Sequence, residues 1–180
     1  DAHLAQPGGW TASSSGFRLT PEGEIVSESA VALQRGTITG RADLMRYYRQ
    51  AMLAHLEGAV HFEQGPKALD CAAIDLDLQK HSGEMGGPVT LSSEQGTLKA
   101  PRGTIVLDEQ NALKSVVLGS PALGNGPRFA SSSNTVTAHF DGTGQLARVF
   151  LEGDASVTSK ASPASTVKTR AITLAPGVED

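Results

Sequence analysis

The chain has 180 residues, 39% of them apolar before its 20 glycines are added, and a formal net charge of −4. That length and composition suit one domain with a buried core and exclude a chain disordered by composition. The 15 Lys and Arg are scattered, so no phosphate-backbone footprint exists and nucleic acid is not an expected partner. A lone Cys71 excludes an internal disulfide framework and a Cys-rich zinc cluster. No apolar run of about 18 residues is available to cross a bilayer as a helix. The chain opens at Asp1 rather than Met, as a mature protein or an excised piece would, so targeting information is missing.

Taken in chain order, residues 1–15 read as a loose leader, residues 16–175 as a single domain and residues 176–180 as a frayed acidic end. Trp10 and Phe17 either cap one end of the stack or remain from a preceding unit. A first, weak unit is Ile38-Thr39-Gly40 followed by Asp43, Met45 and Tyr47. Residues 41–57 admit two readings. Leu44, Met45, Tyr48, Met52 and Leu56 fall near helical spacing. Alternatively, Arg41 to Tyr48 is a strand, Arg49-Gln50 a turn and Met52 to Phe62 a second strand. The strand reading supplies the partner that the next unit needs.

From Leu56 a glycine-centred unit recurs: Leu56-Glu57-Gly58-Ala59-Val60-His61-Phe62, Met85-Gly86-Gly87-Pro88-Val89-Thr90-Leu91, Val117-Leu118-Gly119-Ser120-Pro121-Ala122-Leu123 and Leu151-Glu152-Gly153-Asp154-Ala155-Ser156-Val157. Its glycines lie 29, 32 and 34 positions apart (58 to 87, 87 to 119, 119 to 153). A period of this size built on period-2 alternation predicts stacked β coils. Between the glycine units come paired pieces beginning at Leu69, Leu98, Phe129 and Val167. Each pair is offset by an odd step: 71 to 74, 100 to 103, 131 to 134, 169 to 172. An odd step flips side-chain parity, so a bend or bulge must lie there to return the same face to the interior. Turn formers separate the units at Gln64-Gly65-Pro66, Glu94-Gln95-Gly96, Gly124-Asn125-Gly126-Pro127 and Asp141-Gly142-Thr143-Gly144. A Ser/Ala/Pro loop runs from Ser159 to Ser165.

Ala42-Asp43-Leu44-Met45-Arg46-Tyr47 followed by Leu56-Glu57-Gly58-Ala59-Val60 resembles the OstA/LptA-like family of lipopolysaccharide transport, in which a strand ending in an aromatic leads through a turn to a Leu-x-Gly-x-Val strand. The resemblance extends over roughly residues 25–174 and weakens through the later glycine units. It implies an all-β β-jellyroll, or β-taco, of two facing antiparallel sheets whose open V holds acyl chains. It also implies a periplasmic, non-enzymatic bridge that passes lipopolysaccharide or a similar amphiphile toward the outer membrane. Partners would be other OstA/LptA-like domains or further copies of the chain, joined head to tail by edge-strand pairing. Pro88 and Pro121 depart from the pattern, standing where ladder N–H groups are expected.

An acyl chain requires an apolar trough free of unpaired polar groups, and each methylene buried contributes about 0.8 kcal/mol. The inward-parity candidates are Leu56, Val60 and Phe62; Ile74, Leu76 and Leu78; Val89, Leu91 and Leu98; Ile105 and Leu107; and Phe129, Val136, Phe140, Val157, Val167, Ile172 and Leu174. The same residues would equally make a closed core, which is the reading of a structural, self-associating envelope scaffold. Other chemistry is thin. His55, Glu57 and His61 share an outward parity, but His55 and His61 stand about 20 Å apart along a strand and read as wet surface. Asp75 and Asp77 read likewise. There is no nucleophile elbow, HExxH motif or P-loop, and no second carboxylate pair for polysaccharide cleavage, so no enzyme, cofactor or metal is expected. Cys71 sits with Ala100 and Ser131 at a small inward position and reads as an inert buried thiol.

Overall fold

The computed structural model describes residues 2–5, 9–109 and 112–174, and these are all-β with no helix. The first strands are β1 (Ala2–Ala5), β2 (Thr11–Ser14), β3 (Phe17–Leu19), β4 (Glu24–Ser27), β5 (Val31–Arg35), β6 (Ile38–Ala42) and β7 (Leu44–Tyr48). Next come β8 (Leu53–Gln64), β9 (Lys67–Asp77), β10 (Ser82–Gly86), β11 (Val89–Ser93), β12 (Gly96–Ala100) and β13 (Gly103–Leu107). The last are β14 (Leu113–Leu118), β15 (Ala122–Asn125), β16 (Phe129–Ser133), β17 (Thr135–Phe140), β18 (Leu146–Ser159) and β19 (Thr166–Leu174). Every pairing is antiparallel.

The pairings sort into two walls. The first runs β1, β2, β5, β6, the second half of β8, the first half of β9, β11, β12, β15, β16, then the second half of β18 and the first half of β19. The second runs β3, β4, β7, the first half of β8, the second half of β9, β10, β13, β14, β17, then the first half of β18 and the second half of β19. The long strands β8, β9, β18 and β19 bend from one wall into the other, which makes the whole a single folded sheet of 19 strands, a jellyroll-like stack. Residues 41–57 are strand, turn and strand, with the turn at residues 49–52.

The corners explain both sequence signals. Where the chain changes wall, the inward side chain steps three residues in one strand and four in the next. Three-residue steps are Ala42 to Met45, Cys71 to Ile74, Ala100 to Gly103, Ser133 to Val136 and Thr169 to Ile172. Four-residue steps are Leu56 to Val60, Met85 to Val89, Leu118 to Ala122 and Leu151 to Ala155. The four-residue corners are the glycine units. Gly58 and Ala59 have φ of 76° and 44°, and Gly153 and Asp154 have φ of 71° and 51°. Two consecutive left-handed residues absorb the extra residue as a bulge. Glycine is needed first because its position lies against the opposing corner: a Cβ on Gly58 would meet Asp43, and one on Gly153 would come 2.6 Å from Asn134.

Three expectations are corrected. Residues 2–5 and 11–14 are not a loose leader but strands: β1 pairs with β2, and β2 with β5. Of the leader's inward residues only Leu4 is large and apolar, while Ala2, Ala12 and Ser14 are small, so the apolar alternation was too weak to read. Pro88 and Pro121 cost no ladder bond, because both stand in four-residue corners between strands. The residue level with Cys71 and Ala100 is Ser133, while Ser131 lies one row out, level with Leu98. The frayed end expected at residues 176–180 lies outside the described residues.

Candidate functional site

The interior is graded by distance from the corners. Beside them, the first wall presents Ser14, Val31, Ala42, Val60, Cys71, Val89, Ala100, Ala122, Ser133 and Ala155, all buried. Opposite, the second wall presents Met45, Leu56, Ile74, Met85, Leu118, Val136 and Leu151, also buried. Small side chains on one wall face large ones on the other, and the apex is a dry, closed core. Five of the trough candidates, Leu56, Val60, Ile74, Val89 and Val136, belong to this apex and have at most 2% of their surface exposed.

Farther from the corners the walls separate. A cavity of about 550 Å³ lies between Leu91, Leu98 and Phe129 of the first wall and Phe140, Val149 and Leu174 of the second. A cavity of about 260 Å³ lies between Phe62, Leu69 and Leu91 of the first wall and Leu76, Ile105, Leu107 and Phe140 of the second. Leu78 and the side of Ile74 also face this smaller space. Ten candidates therefore line open space at mid-depth or at the mouth: Phe62, Leu76, Leu78, Leu91, Leu98, Ile105, Leu107, Phe129, Phe140 and Leu174. Val157 and Ile172 pack half-buried against the core. Both ends of the inward surface are bare: Leu19 on β3 is 69% exposed and Val167 on β19 is 60% exposed.

Several residues of the site carried no sequence signal. Leu113, Leu146 and Val149 line the cavities, as does Leu69, which the sequence marked only as the start of a repeat piece. Leu146 and Val149 were missed because β18 starts five residues ahead of the glycine unit at Leu151. Trp10 meets the Phe62 ring edge-on at 6.0 Å, with the Arg35 guanidinium 5.9 Å from its own ring centre, and flanks the smaller cavity. Phe17 lies half-buried against the core.

Between the two cavities the mouth is crossed. Lys67 opens β9 on the first wall and lines both cavities. Its ammonium donates to the carbonyl of Gly144, in the turn joining β17 and β18 on the second wall. That turn is rigid. The Asp141 carboxylate accepts from the Thr143 hydroxyl at 2.6 Å, the Gln145 N–H at 2.8 Å and the Thr143 N–H at 2.9 Å. The Thr143 hydroxyl first, then the Gln145 amide and the Lys67 charge among the rest, hold the Asp141 carboxyl below its ordinary range.

The outward histidines are paired rather than free. His55 contacts Asp75 at 2.6 Å and Glu57 at 3.5 Å; His61 contacts Asp70 at 2.7 Å and Glu63 at 3.5 Å. They stand on different walls, and among the described residues no group of three His, Cys, Asp or Glu side chains could hold a metal. Asp77 pairs with Lys80 at 2.8 Å on the outer surface. Cys71 is buried as expected, and burial, with the Asp70 charge adding to it, pushes its thiol up to about 11.

Neither a family model nor a curated protein matches this chain.

Proposed function

We propose that this protein is a non-enzymatic carrier or bridge segment of the periplasm. It would hold acyl chains of lipopolysaccharide or a similar amphiphile between its walls and pass them along toward the outer membrane. One observation carries the reading: the apolar interior is dry at the apex and stands open between the walls at mid-depth. A closed core needs no such division, since interlocked side chains reach interior density throughout. Among the described residues the apolar row also continues exposed at both ends, at Leu19 and Val167, as a conduit shared with a neighbour would require. The likeness to OstA/LptA-like proteins in residues 42–60 agrees with this reading.

The ends also suit strand addition. Among the described residues β1 and β3 each have one edge without a partner strand at one end, and the nine-residue β19 has one at the other, where Lys168 and Arg170 stand. Head-to-tail association with another copy or with a related domain would cover them. The outer edge of β19, which has no strand partner among the described residues, also favours the second reading, a self-associating scaffold of the envelope. The one tryptophan, Trp10, flanks the smaller cavity and reports on both proposals. Titration with lipopolysaccharide whose chains carry bromine should quench its fluorescence saturably. Absence of quenching, in a folded protein whose sedimentation shows concentration-dependent association, would leave the scaffold.

A further inference from the structure

The contact between Lys67 and Gly144 is the point at which the mouth is bridged between the two cavities. Each cavity is about the size of a pocket that holds one small molecule, roughly 300–1,000 Å³ at the larger and just under it at the smaller. A single chain can lie in either cavity, on one side of the bridge. A lipid whose chains enter both cavities from one head group brings that head group to where Lys67 crosses. We propose that Lys67 is a strap that sets which amphiphiles the trough admits, passing single chains while strapped and multi-chain lipids only when the ammonium leaves Gly144. This rests on the trough being a lipid site.

Three features make the strap a defined device. The Asp141 carboxylate fixes the turn that presents the Gly144 carbonyl. Gly144 has φ of 74°, a conformation suited to glycine. The Gln64 side chain, one turn from Lys67, lies 3.1 Å from where a Cβ on Gly144 would stand, so the two loops already touch.

Stopped-flow quenching of Trp10 by brominated probes tests the strap, with a single-chain fatty acid and multi-chain lipid A as the probes. Lys67→Met keeps the apolar stem and removes the donor; Lys67→Arg keeps a donor. Lys67→Met should speed lipid A association about tenfold and leave the fatty acid within about twofold, while Lys67→Arg stays near wild type for both. Equal lipid A rates in wild type and Lys67→Met, with binding intact, would overturn the strap alone. Failure of both probes to bind any of the three proteins would overturn the lipid reading, and the strap's selective role with it.

Discussion

Leu151→Ala and Leu98→Ala remove the same carbons from two depths of one interior. Leu151 is fully buried at the apex, registered between Val136 and Ile172. Its loss leaves a void that paired strands on both sides cannot collapse, and buried Leu→Ala changes of this kind cost about 2.7–5 kcal/mol. Leu98 is half-buried, lies between Leu91 and Gly124, and faces the larger cavity. Truncating it adds to space that is already open, so the cavity term vanishes and only part of the transfer term is lost, about 1 kcal/mol. The expected gap of about 2 kcal/mol or more is read from urea midpoints at constant m-value, or as a difference of several degrees in Tm for a chain of this size. Equal costs at the two sites would mean that the walls interlock at Leu98 as they do at Leu151, and the division of the interior into core and trough would be refuted.

Gly153→Ala should cost about 2 kcal/mol, from a left-handed backbone and the Asn134 side chain 2.6 Å away, whereas Gly142→Ala, with open space around it, should fall within about 0.5 kcal/mol of wild type; equal urea midpoints for the two variants would contradict the corner argument. Cys71, with its thiol at about 11, should react with a disulfide reagent at pH 8 at least about 100-fold more slowly in the folded chain than in urea, and rapid labelling of the folded protein would show the apex to be open. Asp141 has a folded pKa below its ordinary value of 3.8, so its stabilisation of the 141–145 turn is complete above that pH and is lost as pH falls through the lower folded value. Carbon-detected NMR titration of its carboxyl should give a midpoint below 3.8, and a midpoint at or above it would mean that the turn does not hold this carboxylate.

The repeat was legible because two signals reinforced each other. Alternating aliphatics marked the strands, and a glycine recurring every 29–34 positions marked every second corner. The three-residue steps are the physical form of the odd offsets, and the four-residue steps that of the glycine units. β1 and β2 were illegible because, Leu4 apart, their inward residues are Ala and Ser, whose burial gives little hydropathy contrast. Depth within the interior was illegible too, because parity places Leu56 and Phe62 on one face alike. Distance from the corner separates them: Leu56 sits two residues from the bulge glycine, and Phe62 four residues beyond it near the mouth. The Lys67 bridge had no sequence signal, since it joins loops 77 residues apart through a backbone carbonyl.

The most direct test of the account is photocrosslinking to lipopolysaccharide from a photoreactive residue placed at Phe62, Leu91 or Phe140, with Asp77 on the outer surface as control. The account predicts adducts from all three trough positions, strongest at Leu91 and Phe140 because both border the two cavities, and none from Asp77. No adducts at any position in a folded protein, or adducts as frequent at Asp77 as inside, would contradict a lipid trough and leave the folded sheet as a scaffold.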